Sequence, residues 1–208
     1  MYARVTRVKS DPGRVDELVQ QLKTQMIPVF EQQKGYLGVL SSADRQTGQG
    51  ATSTFWDSME NLKASEAAIF AARDKFAAEQ GAEVISFHRV EILVREGPFD
   101  PKVGNHIRVV TLSGVEPGKV DGLVERFRKD IAPALRAQPG NRAAILQVDR
   151  DNNLAFGVSA FETAEQRDAA GKALDDLRDE TSAKLGLKVE STMHAETTLA
   201  EIKAPVTS

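Results

Sequence analysis

The sequence contains no cysteine, which excludes disulfides, thiolate nucleophiles, iron–sulfur ligation and most structural zinc sites together. Histidine is almost as scarce. The three are His88, His106 and His194, too scattered to form a ligand cluster, so no metal is expected. Long apolar runs are missing as well: no window approaches the roughly 18 apolar residues of a membrane helix, and the opening "MYARVTRVKSD" lacks the apolar core of a signal peptide. No membrane partner is expected, and the cytoplasm is the expected location. Positive charge is not in excess either. The formal net charge is −3, and no basic stripe stands ready to neutralise phosphates, which argues against nucleic acid as a partner. Dinucleotide, zinc-protease and nucleophile-elbow signatures are absent. "SGVEPGKV" comes nearest to a phosphate loop, but it is one residue short between its glycines and carries Val120 where a hydroxyl should hold magnesium.

What is present reads as a chain written twice. "DPGRVDEL", residues 11–18, is echoed by "EPGKVDGL", residues 116–123, an offset of 105 positions. The same offset, taken without a gap, pairs Val5 with Val110, Thr6 with Thr111, Leu18 with Leu123, Pro28 with Pro133 and Gly35 with Gly140. It also pairs Asp44 and Arg45 with Asp149 and Arg150, Arg73 and Asp74 with Arg178 and Asp179, and Glu91 with Glu196. Two copies at so long a period indicate duplicated domains and not a solenoid. "REGPFDPKVGN", residues 95–105, interrupts all periodicity with two prolines and two glycines. The expected organisation is a domain over 1–95, a linker over 96–104 and a second domain over 105–204, each long enough to bury a core.

Each copy reads β-α-β-β-α-β. "YARVTRVK" alternates as a strand, and Val15, Leu18, Val19, Leu22 and Met26 then recur at helical spacing. Pro28 is expected to kink or end that helix. A hairpin follows, then a second helix opened by Ser58, then a last strand. In that strand Val84, Val90, Ile92 and Val94 lie on one face and Ile85, Phe87 and Leu93 on the other, so both faces of the sheet expect cover. Helices can cover only one. The expected fold class is α+β: two tandem ferredoxin-like domains packed sheet to sheet as a pseudo-dimeric α/β barrel.

"KGYLGVLSSADRQTG" followed by "TFWDSMENLKAS" resembles the strand, hairpin and helix start of antibiotic biosynthesis monooxygenase (ABM) domains, members of the dimeric α/β barrel superfamily. The resemblance covers the first copy and, more faintly, the second, where Phe161 replaces Trp56. It implies a barrel, usually built by homodimerisation and here within one chain, and leaves open a homodimer of the whole chain. The activity it implies is a monooxygenase without a cofactor, acting on an aromatic quinol or polyketide-type phenol whose anion passes an electron directly to oxygen. The alternative is a non-catalytic, small-molecule-binding or stress-associated barrel protein. A small aromatic molecule is the expected partner in either case. The haem-degrading branch of the superfamily fits poorly: where it uses Asn, Trp and His, this chain carries Thr6, Ser65 and Arg73.

Six residues are candidates for a site. Trp56, the only tryptophan, is read as a pocket wall or as a plain core aromatic. Arg73 could stabilise a phenolate or carboxylate, although an Arg–Asp neighbour on a helix is also an ordinary surface feature. His88 is the candidate base, with an unperturbed pKa near neutrality, or else a hydrogen-bonded core histidine. Tyr36, Thr6 and Thr52 are the expected substrate contacts. Glu91 and Glu196 are expected where the sheets meet and need partners, for which Arg4, Arg7, Arg89 and Arg108 are available. The unequal pairs Trp56/Phe161, His88/Met193 and Tyr36/Asn141 place a ligand pocket in the first copy.

Overall fold

The computed structural model of the chain describes residues 1–97 and 101–203. The strands are β1 (Tyr2–Lys9), β2 (Tyr36–Ala43), β3 (Gln49–Trp56), β4 (Glu83–Glu96), β5 (His106–Ser113), β6 (Asn141–Asp149), β7 (Leu154–Phe161) and β8 (Lys188–Ile202). The helices are α1 (Val15–Gln21), α2 (Ile27–Glu31), α3 (Met59–Ala64), α4 (Glu66–Gln80), α5 (Val120–Arg126), α6 (Ala132–Arg136) and α7 (Ala164–Lys184). The fold is α+β, and the strands hydrogen-bond in the order β1-β3-β2-β8-β5-β7-β6-β4 as a closed eight-stranded antiparallel barrel.

By compactness the chain divides into two units, the first comprising Met1–Arg89 and the residues from Ala195, the second Val90–His194. The division falls inside β4 and β8, and β4 itself runs to Glu96, the first residue of the expected linker over 96–104. Residues 98–100 of that linker and residue 204 lie outside the described residues. The physical reason is strand pairing. In the first unit β2 pairs with the Ala195–Ile202 part of β8, and in the second β6 pairs with β4 from Glu91 onward.

Helix starts follow the sequence. Ser58 Oγ accepts from Asn61 N ahead of α3, and Thr163 with Gln166 forms a reciprocal capping box ahead of α7. Of the two expectations for Pro28, the helix does not end there. Instead α1 passes through a π turn, Leu22–Met26, into α2 with Pro28 in its first turn. A proline in a regular helix clashes with the carbonyl four residues back, and the wider turn, in which Ile27 N bonds to Leu22 O, gives the ring room. The π turn Phe127–Ile131 does the same ahead of Pro133.

The gapless offset is also corrected. Arg4 pairs with Thr54 across β1–β3, and Arg108 pairs with Ser159 across β5–β7; Thr54 and Ser159 are 105 apart, but Arg4 and Arg108 are 104 apart. Gly114, at φ 77°, is the extra residue, since Ser10 N bonds to Gly48 O where Val115 N bonds to Asn153 O. Arg4 and Arg108 are therefore counterparts. The partners of the two glutamates differ from those expected as well: Glu91 binds Arg150 at 3.0 Å and Glu196 binds Arg45 at 3.2 Å. Both arginines sit just past the hairpin strands β6 and β2, where the paired strand brings the glutamate alongside.

Candidate functional site

The first unit encloses a cavity of about 110 Å³ between the faces of β1, β2 and β3 and the helices α1 and α4. Strand alternation sends Arg4, Thr6 and Val8 of β1 and Thr52 and Thr54 of β3 to it. The helices close it with apolar side chains, among them Leu22, Met26 and Phe76. Among the described residues, its only ionisable lining residues are Arg4 and Arg73.

Arg4 is 1% exposed. Its Nη2 donates to Leu62 O at 2.6 Å and to Ser65 Oγ at 2.8 Å, while Nε and Nη1 are buried without a hydrogen-bond partner. Burial pushes its pKa down to about 10, Glu66 opposes the shift, and Arg89 and Arg73 add to it; at neutral pH the group is still a cation. Glu66 is 4.0 Å from Arg4 Nη2 and already accepts from Arg89 Nε and Nη2 at 2.5 and 2.8 Å. Arg73 donates from Nε to Asp74 at 2.8 Å, and its Nη1 is buried and unpartnered. Both guanidiniums lie against the Phe70 ring, with Cζ 5.4 Å (Arg4) and 4.4 Å (Arg73) from its centroid.

A further polar atom comes from β8. The pairing with β2 shifts register between Ser41 and Ser42, opposite Leu199 and Thr197, so Thr198 is the extra residue of a β-bulge. Bulges re-aim side chains. Thr198 lines the cavity, and its Oγ1 is buried without a hydrogen-bond partner. Arg4, Arg73 and Thr198 thus line the cavity and each carries a buried polar atom without a hydrogen-bond partner, a set of groups suited to a small organic anion.

Of the sequence candidates, Thr6, Thr52 and Arg73 are brought together on this cavity. Trp56, Tyr36 and His88 do not line it. Trp56 is fully buried in the neighbouring core, where its Nε1 donates to Thr54 Oγ1 at 3.0 Å. Tyr36 packs edge-on to Trp56 at 5.8 Å, and burial, then Glu201 and Glu31, raise its pKa so that the phenol stays protonated. His88 Nε2 bonds with Ser86 Oγ at 3.1 Å. Sequence reasoning missed Arg4 and Thr198. The signal for Arg4 was its alternation with Thr6 and Val8; a bulge leaves no comparable mark for Thr198.

The second unit has a smaller cavity, about 70 Å³, lined by Arg108, Arg178, Phe127, Leu135, Ser159 and others. Arg108 is likewise buried, and burial lowers its pKa against the pull of Asp175.

Solved structures share the fold of this chain. No family model matches the chain. Over 99% of its length the chain is 25% identical to an uncharacterised protein of Mycobacterium tuberculosis, of which it covers 86%. An anthrone oxidase-like protein superposes with a TM-score of 0.66 at 14% identity, over 98% of this chain and 94% of that one. A ferredoxin-fold protein of Listeria monocytogenes related to antibiotic biosynthesis monooxygenases superposes with a TM-score of 0.55 at 8% identity, over 95% of each chain. At such identities the likeness is one of fold, and activity has to be argued from the site.

Proposed function

We propose that the protein is an ABM-like monooxygenase that needs no cofactor and holds a small phenol or quinol as its anion in the first unit's cavity. On this reading the chain is a fused pair of ferredoxin-like domains, 1–95 and 105–204, doing the work of a homodimer. The observation that carries the proposal is that the two arginines lining the cavity, Arg4 and Arg73, both carry buried N–H groups without a hydrogen-bond partner. Two guanidiniums favour the ionised form of a phenol bound beside them, so the proton can leave to solvent without His88 acting as base. Thr6, Thr52 and Thr198 orient the ring, and Trp56 supports the wall through Thr54. The phenolate gives one electron to oxygen, the radical pair joins at a ring carbon, and the hydroperoxide loses water. One oxygen atom enters the quinone product and the other leaves as water.

Size narrows the substrate. About 110 Å³ falls short of the roughly 300 Å³ of a site for larger ligands and is nearer the roughly 150 Å³ apolar cavity that takes benzene. A single ring is the expected fit, not a fused polyketide. A second reading, binding without oxidation, is favoured by one observation: the lining carries no carboxylate, histidine, lysine or tyrosine to move protons. Oxygen uptake by metal-free, flavin-free protein with hydroquinones, naphthoquinols and anthrones separates the two. Turnover of single-ring substrates that disappears in Arg4→Met and Arg73→Met is expected. Saturable binding of the same phenols with no oxygen uptake selects the second reading, and turnover indifferent to both substitutions places the chemistry outside this cavity.

A further inference from the structure

We infer that Asp175 is a built-in anion: its carboxylate neutralises Arg108 and Arg178 as a ligand's carboxylate or phenolate neutralises Arg4 and Arg73. The protein then has one site for an aromatic anion and one self-neutralised cavity closed to anions, and the residue at position 70 or 175 decides which is which. The inference rests on the proposal that Arg4 and Arg73 hold an anion, and it adds the reason why only one of two similar cavities does so.

Arg73 and Arg178 are 105 positions apart, as are Phe70 and Asp175, and the strand registers make Arg4 the counterpart of Arg108. In the first unit the side chain at position 70 lies against both guanidiniums and presents only a ring face. In the second the side chain at position 175 also reaches both, but it presents a carboxylate. A single oxygen, Asp175 Oδ1, accepts from Arg108 Nη2 at 2.5 Å and from Arg178 Nη1 at 2.6 Å.

The unsatisfied atoms follow the same division. Among the described residues, the buried side-chain nitrogens without a partner are Arg4 Nε, Arg4 Nη1 and Arg73 Nη1; neither Arg108 nor Arg178 contributes one. The bulged residue differs in the same sense. In the second unit the register of β4 on β6 shifts between Ile92 and Val94, which makes Leu93 the counterpart of Thr198. Gly171, where the first unit has Glu66, leaves Arg108 space to lie flat, since a Cβ there would come 3.1 Å from Arg108 Nε. Asp175, whose side chain is 43% exposed, bonds both of the arginines that line the second cavity, so an external anion there would find its cations already paired and would be repelled by the carboxylate. A neutral apolar molecule would not.

The test uses benzoate as probe and the Arg Nε–H resonances as separate reporters of the two cavities, in the full chain. In the wild type, benzoate should shift the Arg4 signal saturably with one equivalent bound and leave Arg108 in place. In Asp175→Asn, which keeps the side-chain size, and in Asp175→Ala, benzoate should shift Arg108 as well, with a second equivalent bound. A variant that responds at Arg4 but not at Arg108 overturns the inference and leaves the first-unit site standing. A wild type silent at Arg4, with a variant that responds at Arg108, supports the role of Asp175 and sinks the proposed function instead. A wild type that responds at both arginines overturns the inference outright.

Discussion

Trp56 donates its indole N–H to Thr54 Oγ1 at 3.0 Å, and this bond joins the core of the first unit to its cavity. The two residues are neighbours on one face of β3, but only Thr54 lines the cavity. Phe161 and Ser159 stand at the corresponding positions, and Phe161 is fully buried without any such donor. Trp56→Phe is therefore expected to remove ring volume and one hydrogen bond, lowering the unfolding free energy by about 1–3 kcal/mol. Chemical denaturation checks this, and anion affinity should change less than tenfold. A larger loss of affinity with unchanged stability would mean that the indole touches the ligand.

The β-α-β-β-α-β order was legible because alternation, helical spacing and the Ser58 cap all agree on it. The cavity was half legible. Thr6 and Thr52 follow from strand parity, but Trp56, Tyr36 and His88 were selected for what their side chains can do, and residue type carries no information about which way a side chain faces. The chance identities Val5/Val110 and Thr6/Thr111 favoured a gapless alignment, which hid the Arg4–Arg108 correspondence behind the inserted Gly114. The bulge at Thr198 and the π turns depend on pairing and packing that no local pattern encodes.

Glu66 gives a pH signature. Hydrogen bonds from Arg89, with the charges of Arg89 and Arg4, hold its carboxyl below the ordinary glutamate value of 4.5 against the opposing effect of burial. The unfolded chain thus takes up the proton first as pH falls, so the stabilisation is full above 4.5 and is lost as pH drops through the folded value. Melting temperatures of the wild type should fall more steeply below about pH 4.5 than those of Glu66→Gln. Profiles that stay parallel down to pH 3 would show that the Arg89–Glu66 pair adds nothing to folding.

Thr198→Val keeps the shape of the bulged residue and removes a buried hydroxyl that has no hydrogen-bond partner. An unsatisfied buried hydroxyl is unfavourable by about 1–3 kcal/mol, so the valine variant is expected to be as stable as the wild type or about 1 kcal/mol more stable. Its affinity for benzoate should fall severalfold, read by titration. A marked loss of stability would indicate that the hydroxyl holds the bulge together.

Arg4→Met separates binding from folding most sharply. The guanidinium is buried, two of its three nitrogens have no partner, and Leu62 O keeps the hydroxyl of Ser65 at 2.7 Å when Arg4 is gone. Glu66 keeps Arg89 as its partner when Arg4 is gone, and removing an incompletely paired buried charge relieves its desolvation cost, so the variant should unfold within about 1 kcal/mol of the wild type, or above it. Benzoate affinity, in contrast, should fall at least tenfold. Arg4→Lys should recover only part of it, because an ammonium on a flexible stem restores the charge but not the fixed directions of the guanidinium N–H groups. Binding and stability that fell together in Arg4→Met would make Arg4 a structural residue and the cavity an ordinary packing void.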